Sequence, residues 1–211
     1  MRVVVLISGR GSNLRALLEA RLPVEFACVI SNRADAGGLE TAAAHEVPTR
    51  VLNHRDYSDR AAFDTALAAE IDRHAPDLVI LAGFMRVLSD AFVLHYERRL
   101  INIHPALLPA FPGLDTHARA IAGGVKLHGC TVHFVTPEVD AGPILAQAAV
   151  PVLADDTADS LAARVLAQEH RLFPQAVRWF AEGRVRWRED GTVGVSGGAD
   201  MARAALVSPD D

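Results

Sequence analysis

Three polar side chains on two segments carry groups that could act together in proton transfer. Asn102 and His104 stand at the end of the apolar run Leu100–Ile103, and Asp140 lies in a later turn that also contains Gly142. An amide such as that of Asn102 can stabilise a developing oxyanion, and an imidazole is the side chain most easily tuned near neutral pH. A carboxylate beside an imidazole stabilises its protonated form. The pattern predicts an acid–base centre.

The apolar run before these side chains determines where they would lie. If Leu100–Ile103 is a strand parallel to its neighbours, residues 102 and 104 lie at its carboxyl end, where open α/β sheets place their ligand sites. Alternation along a strand sends both side chains to one face. A single asparagine or histidine at a strand end is more often structural than catalytic, so the hypothesis depends on the accompanying motifs.

The surrounding sequence restricts the kind of chemistry. No serine or cysteine near Asn102 and His104 stands in a Gly-x-Ser-x-Gly context, which argues against a covalent acyl-enzyme. Cysteines and carboxylates do not stand at metal-ligand spacing near the histidines, so no metal site is predicted. His133 is the best secondary candidate, because it lies in a strand-like run close to the site segments.

A second motif, Ser8–Asn13, lies between the first apolar run and a helical pattern. Its glycines permit a tight turn, and the following helix offers unpaired N–H groups and the positive end of its dipole to an anion. Position 14 is leucine where a dinucleotide-binding fingerprint needs glycine, and no Gly-Lys-Ser/Thr occurs there. A phosphomonoester is the predicted ligand; the alternative is a turn in which Ser12 caps the helix.

A third segment, Gly83–Leu88, follows the apolar run Leu78–Ala82 and so also belongs to the carboxyl edge. An apolar loop at that edge could form the wall of a pocket for a flat aromatic ligand, with backbone groups supplying hydrogen bonds. The alternative is ordinary core packing of Phe84, Met85 and Leu88.

Composition excludes several classes of partner. The chain has 211 residues, half of them apolar, and a formal net charge of −5 without a cluster of Lys and Arg. Nucleic acid is therefore disfavoured as a main partner, whereas an anionic small molecule is not. No run approaches the roughly eighteen apolar residues of a membrane span, and the N-terminus lacks a signal-peptide pattern. Cys28 and Cys130 are predicted to be buried thiols in a cytoplasmic protein.

Apolar, β-branched runs alternate with helical patterns along the first half of the chain. This alternation predicts βαβ units, and nearly continuous apolar runs are typical of strands covered on both faces. The predicted fold is α/β: an open, mostly parallel twisted sheet with helices on both faces, Rossmann-like in its N-terminal half and mixed in its C-terminal half. The predicted strands are Arg2–Ile7, Phe26–Ser31, Leu78–Ala82, Leu100–Ile103, Gly129–Val135 and Ile144–Val150. The predicted helices are Asn13–Ala20, Gly38–His45, Ala61–Arg73, Ser89–Tyr96 and about Thr157–Phe180.

Two further expectations concern the C-terminal part. Pro174 lacks an N–H group and should kink the last helix or divide it near Phe173. Residues 189–211 show no periodicity and are predicted to form a flexible tail.

Taken together, these motifs resemble the folate-dependent formyltransferase family. The resemblance spans roughly residues 2–188 and is carried by Val4–Leu14, Leu81–Arg86, Asn102–Pro109, Gly129–Val135 and Asp140–Pro143. The Asn-x-His and Asp set marks the wider family, and the Ser-Gly-x-Gly-Ser-Asn loop narrows it to the phosphoribosylglycinamide formyltransferases of purine synthesis. It implies transfer of the formyl group of 10-formyltetrahydrofolate to the amine of 5′-phosphoribosylglycinamide, by direct attack through a tetrahedral intermediate.

The resemblance also implies roles for individual residues and an organisation for the chain. It implies one domain, 1–188, whose N-terminal half binds phosphate and whose C-terminal half binds folate, acting on small molecules as a monomer or homodimer without a metal. The implied catalytic residues are Asn102, His104 and Asp140. The implied phosphoribosylglycinamide-binding residues are Gly11, Ser12, Asn13 and Glu169. The implied folate-binding residues are Arg60, Met85, Arg86, Val87, Leu88, Asn102, Val139 and Asp140.

One departure and three alternatives accompany the resemblance. The family often has histidine where this chain has Asp115, to which no role is assigned. A formyltetrahydrofolate hydrolase would use the same trio with water as acceptor, but it would not need the phosphate loop. A methionyl-tRNA formyltransferase would need a further C-terminal domain and a basic surface. A non-catalytic nucleotide-binding module would need the glycine loop but not the trio.

Overall fold

A computed structural model describes residues 1–197 and Ser208, and it is built on one seven-stranded sheet. The strand order is β3-β2-β1-β4-β5-β6-β7, with β1 to β5 parallel and β6 and β7 antiparallel. The strands are β1 Arg2–Ile7, β2 Glu25–Ser31, β3 Thr49–Val51, β4 Leu78–Leu81, β5 Leu100–His104, β6 Leu127–Phe134, β7 Ile144–Pro151, β8 Val185–Trp187 and β9 Val193–Val195. The helices are α1 Ser12–Glu19, α2 Gly38–Ala44, α3 Arg60–Asp72, α4 Asp90–His95, α5 Thr116–Ala122 and α6 Ala158–Ala181, with a 3₁₀ turn at His54–Asp56.

Both faces of the sheet are covered, which is why its first strands are apolar throughout. Alternate residues of β1 enter two separate cores: Val5 and Ile7 pack with α1, α2 and α6, whereas Leu6 packs with α3 and α4. On α3 the apolar stripe that recurs every fourth residue is fully buried, as Phe63 and Leu67 show. Burial of each such side chain contributes about 1.5–3 kcal/mol. The predicted mixed sheet with helices on both faces is confirmed.

The structure bears on two predictions about the C-terminal part. Pro174 does not divide α6, which continues from residue 158 to 181, and its neighbours Phe173 and Val177 are buried against the sheet. The predicted tail begins with structure: β9 pairs with β8 in an antiparallel hairpin. This short strand is stabilised by contact with the core rather than by periodicity of its own. Residues 198–207 and 209–211 lie outside the described residues.

The strand order brings the loops of interest to one edge. In the order β2-β1-β4-β5, the carboxyl ends of four parallel strands point the same way, so residue 8, residue 32, residues 82–89 and residues 105–112 follow adjacent strands. Along the chain, β2 and β3 are added on one side of β1, and β4 and β5 are then added on its other side. The order of the strands therefore reverses between β1 and β4. Open α/β sheets bind ligands at such a reversal, outside the carboxyl ends of the strands.

Candidate active site

The strand pair β5 and β6 positions two of the three predicted acid–base residues. Asn102 lies opposite His133 and His104 lies opposite Thr131 in the antiparallel register. The side chains at 102 and 104 therefore share a face, as strand alternation predicts. The side chain of His104 is only 6% exposed. A polar group this deeply buried needs partners, and those partners define the site.

Asp140 reaches this site from the connection between β6 and β7. Its backbone adopts a left-handed conformation with φ +56°, and its Oδ2 accepts a hydrogen bond of 2.8 Å from the backbone N–H of Gly113. The turn requires glycine at position 142, because a Cβ there would overlap the carbonyl oxygen of Phe134. The turn directs the Asp140 carboxylate inward, where it is 10% exposed.

The His104 imidazole lies between two acceptors. Its Nδ1 is 3.4 Å from Asp140 Oδ2, and its Nε2 is 2.9 Å from the carbonyl oxygen of Phe111. A neutral imidazole has one N–H, so only the charged ring donates to both acceptors. The structure thus provides His104 with a place for a second proton, next to a carboxylate.

His133 completes the cluster and orients Asn102. Its Nδ1 is 3.0 Å from the carbonyl oxygen of Phe134, and its Nε2 is 3.2 Å from Asn102 Nδ2 and 3.7 Å from Asp140 Oδ1. Burial lowers the pKa of His133, against the opposing effects of the Phe134 carbonyl and the Asp140 charge. The ring is therefore neutral near pH 7, with its proton on Nδ1 and an Nε2 lone pair that accepts from the Asn102 amide. The amide is held with its NH₂ group toward the cluster.

The Pro-rich loop after β5 is braced by a residue that the sequence reasoning missed. Thr131 Oγ1 donates to the carbonyl of Ala106 at 2.7 Å and accepts from the N–H of Leu108 at 3.0 Å. Gln147 on β7 donates to the carbonyl of Leu108 at 2.8 Å. The only sequence signal was a polar residue alternating within an apolar strand. Bracing keeps Phe111, the partner of His104, in place.

The phosphate-type loop leaves a helix N-terminus open. Gly11 has φ +75° and is the N-cap of α1, and a Cβ there would lie 2.5 Å from Gly38 Cα. Ser12 is the first residue of the helix and Gly11 is its N-cap, so the alternative in which Ser12 caps the helix is wrong. Among the described residues no side chain caps α1, and its first turn has no acidic residue. The free N–H groups can bind an anion.

Asn13 and Glu169 connect this loop to α6. Asn13 Nδ2 donates to Glu169 Oε2 at 2.7 Å, and both residues are buried. Burial raises the pKa of Glu169, while the Asn13 hydrogen bond and the charge of His104 oppose the increase. Asn13 Oδ1 is buried without a partner among the described residues. The pair lies between the loop and the His104 cluster, and it retains unused hydrogen-bonding capacity.

The segment between β4 and α4 has a mixed character. Met85 and Val87 are exposed, at 70% and 56%, whereas Phe84 and Leu88 are buried. Core packing therefore accounts for Phe84 and Leu88 only. The Arg86 guanidinium lies 4.9 Å from the centre of the Phe63 ring.

The remaining predicted residues are exposed. Val139 is exposed at 54% beside Asp140, and Arg60 is the exposed first residue of α3. Asp115 is an exposed N-cap of α5 with φ +55°. Among the described residues, no hydrogen bond or ion pair joins Arg60 or Asp115 to the cluster.

Two absences were found in the part of the chain that the structure describes. Residues 1–197 contain no group of three His, Cys, Asp or Glu side chains arranged to hold a metal ion. No helix there has both the length and the apolar character needed to cross a membrane.

A parallel sheet with an imidazole, a carboxylate and an amide at its carboxyl edge is typical of an α/β enzyme. Comparison of the chain with known proteins identifies the family. The profile of the formyl transferase family matches residues 1–177, and the chain belongs to this family. It is 50% identical to the phosphoribosylglycinamide formyltransferase of Escherichia coli over 90% of this chain and 92% of that protein. It is 48% identical to the bovine trifunctional purine biosynthetic protein adenosine-3, over 91% of this chain and 19% of that protein. The structure of glycinamide ribonucleotide transformylase 1 from Symbiobacterium toebii superposes with a TM-score of 0.89 at 50% identity, covering 92% of this chain and 93% of that one.

Proposed function

We propose that this protein transfers the formyl group of 10-formyltetrahydrofolate to the amine of 5′-phosphoribosylglycinamide. The observation that carries the proposal is the convergence of His104, Asp140, Asn102 and His133 within 3.7 Å contacts beside an open helix N-terminus. The cluster supplies groups for acyl transfer, and the helix end supplies a phosphate site. The names of relatives with about half of their residues identical support phosphoribosylglycinamide as the acceptor of the formyl group.

The phosphorylated substrate is placed by the N-terminal half. Its phosphate would accept hydrogen bonds from the N–H groups of Gly11, Ser12 and Asn13, where the helix dipole is positive. Its ribose hydroxyls would meet Glu169, a buried carboxyl acceptor joined to Asn13. This arrangement directs the amine toward His104, whose charge influences Glu169.

The folate is placed by the segment after β4 and the rim of the Asp140 turn. Val139 and the exposed side chains of Met85 and Val87 offer apolar surface to a flat pterin. Among residues 1–197, the backbone groups of Arg86, Val87 and Leu88 make no hydrogen bond. Unpaired backbone donors and acceptors next to apolar surface suit the hydrogen-bonding edge of a pterin ring. Arg60, an exposed cation at the start of α3, would pair with the carboxylates of the folate tail.

The reaction is direct transfer. The amine nitrogen attacks the formyl carbon, and the bond from that carbon to N10 of the folate breaks as the tetrahedral intermediate collapses. The Asn102 NH₂ group donates to the oxyanion. The His104–Asp140 pair accepts a proton from the attacking amine and returns one to N10, so that protons balance and the pair is regenerated. No covalent formyl-enzyme and no metal take part in this sequence.

A turnover assay tests the proposal. Purified protein is mixed with 10-formyltetrahydrofolate with and without phosphoribosylglycinamide, and tetrahydrofolate and the formylated amide are quantified. We expect both products in equal amounts and only when the amine is present. Folate release without the amine would show a hydrolase, and no turnover with either would show a binding module. A formylated protein after rapid quench with folate alone would contradict direct transfer.

A further inference from the structure

One buried hydroxyl connects the two segments at which the two substrates would bind. Ser8 Oγ accepts a hydrogen bond from the N–H of Met85 at 2.8 Å and donates to Asn32 Oδ1 at 2.6 Å. The backbone N–H of Ser8 donates to the carbonyl of Gly83 at 3.1 Å. Ser8 is buried, and it immediately precedes Gly9 of the phosphate loop. It therefore joins that loop to residues 83–85 where the strand order reverses between β1 and β4.

The segment that Ser8 holds has few other hydrogen-bonded anchors. The backbone groups of Arg86 to Leu88 make no hydrogen bond among residues 1–197, and the next anchor is Ser89, whose N–H donates to Asp64 Oδ2 at 2.6 Å. Its backbone hydrogen bonds thus lie at its two ends, at Met85 and Ser89. Only the Ser8 end also belongs to the phosphate loop.

We propose that Ser8 is a positioning residue that couples the two substrate sites. A phosphate bound at residues 11–13 orders Ser8 and, through its hydroxyl, the segment 85–88, so each substrate binds more tightly when the other is present. Ordering these residues costs conformational entropy, and the ligand that binds first bears that cost for both. The second ligand therefore binds more tightly, which makes binding cooperative. Linkage requires each ligand to change the affinity of the other by the same factor. The proposal rests on the proposed function for the identity of both ligands.

The coupling is measured with a pair of ligands that cannot react. Tetrahydrofolate lacks the formyl group, so its dissociation constant is determined by calorimetry with and without saturating phosphoribosylglycinamide. We expect the wild-type protein to bind tetrahydrofolate about 5- to 20-fold more tightly in the presence of the amine, within the usual range of such coupling. Ser8→Ala should bring this factor to about one, and Ser8→Thr, which keeps the hydroxyl, should restore most of it.

Ser31→Ala is the matched control. Ser31 is also buried at the carboxyl end of a parallel strand, and its hydroxyl makes two hydrogen bonds, both to the backbone of Arg33. This variant loses a similar hydroxyl without disconnecting the two loops, so the coupling should persist. If Ser8→Ala does not fold, hydrogen exchange of the Met85 amide in the wild-type protein replaces it. Phosphoribosylglycinamide alone should then slow that exchange.

Several results would overturn the coupling. In the wild-type protein, these are equal affinities for tetrahydrofolate with and without phosphoribosylglycinamide, or a rate of Met85 amide exchange that phosphoribosylglycinamide does not change. In the variants, they are unchanged coupling in Ser8→Ala, or a loss of coupling in Ser31→Ala as large as that in Ser8→Ala. If the wild-type protein binds neither ligand, the proposed function itself fails. If both ligands bind but neither changes the affinity of the other, the role proposed for Ser8 is contradicted and the proposed function is not.

Discussion

The phosphate loop and the acid–base cluster lie at the same edge of the sheet, but they are assembled differently. The phosphate loop is one continuous segment, residues 8–13, whose binding groups are backbone N–H donors at the start of α1. The cluster combines side chains from β5, from β6 and from the turn at Asp140, and their contacts are 3.2 to 3.7 Å long. One site is made by local backbone geometry and the other by long-range convergence.

This difference predicts different responses to substitution. Backbone donors survive a change of side chain, so the phosphate loop should lose affinity in small steps. Each cluster member depends on the others for its orientation or protonation, and residues that act as a unit show large, non-additive losses. The cluster is also buried, where an unpaired polar group is costly.

The largest effect is expected at the His104–Asp140 pair. Asp140→Asn removes the carboxylate that stabilises the protonated imidazole and should reduce kcat by roughly 10²–10⁴-fold with the fold intact. His104→Ala should lose as much, and the double variant little more than either single one. Steady-state kinetics of the three variants, with circular dichroism for folding, measure this.

A second His–Asp pair in the same protein is the control. His95 Nε2 and Asp72 Oδ2 are 2.8 Å apart on the surface. Asp72→Asn should leave kcat within about two-fold, because exposed pairs contribute little. Losses that simply multiply in the His104→Ala, Asp140→Asn double variant would show that the two residues act independently.

His133 tests whether orientation within the cluster matters. His133→Phe removes the lone pair that holds the Asn102 amide, so the oxyanion donor becomes misaligned. A misplacement of this kind should lower kcat by roughly 10²-fold with KM little changed. His133→Gln, which retains an acceptor, should recover part of the loss. A rise in KM without a fall in kcat would place His133 in binding instead.

The buried imidazoles behind the cluster should make stability depend on pH. Burial lowers the pKa of His128 to about 4, and its ring packs edge-on with those of Phe111 and His117. In the unfolded chain the pKa is about 6.5, so below that pH the unfolded state binds more protons. The free energy of unfolding should therefore fall between about pH 6.5 and pH 4, by roughly 2–3 kcal/mol in total.

Urea unfolding at pH 7 and pH 5 tests this, with His128→Phe as the variant. Phenylalanine preserves the aromatic packing and cannot titrate, so the difference between the two pH values should shrink. His45→Phe, which removes an exposed imidazole, should keep the wild-type difference. Equal pH dependence in wild type and His128→Phe would exclude His128 as the cause.

The smallest effects are expected in the phosphate loop. Ser12→Ala or Asn13→Ala leaves the backbone donors in place and removes one polar side-chain group. Either change should weaken binding of the phosphorylated substrate by about 0.5–1.5 kcal/mol, the usual contribution of one neutral hydrogen bond. Folate affinity should change far less. Calorimetry with each ligand measures the two losses.

Thr157→Ala is the control for the loop, because it removes the side-chain cap at the start of α6, twelve residues before Glu169. It should lower stability by about 0.5–2 kcal/mol without changing either affinity. Equal losses for both ligands in Ser12→Ala would show that the phosphate loop is only a structural turn.

Local patterns predicted the phosphate loop, the parallel strands and the pair at 102 and 104, because each depends on residues a few positions apart. The strand β3, with only three residues, and the helix α5 were missed. The structure shows α6 unbroken at Pro174 and a short strand β9 within the predicted tail, because packing against the sheet outweighs local propensity there. The bracing by Thr131 and the coupling contacts of Ser8 leave no pattern in the chain.

The sequence by itself determined which groups are available: an imidazole, an amide and a carboxylate, a glycine turn before a helix, and strands apolar enough to be covered on both faces. Only the tertiary structure decided which of these groups meet. The strand order set residue 8 beside residue 83, and the antiparallel β6 set His133 opposite Asn102. The physical reason is that strand order and register arise from burying two apolar faces at once. That condition belongs to the whole sheet and to no single segment.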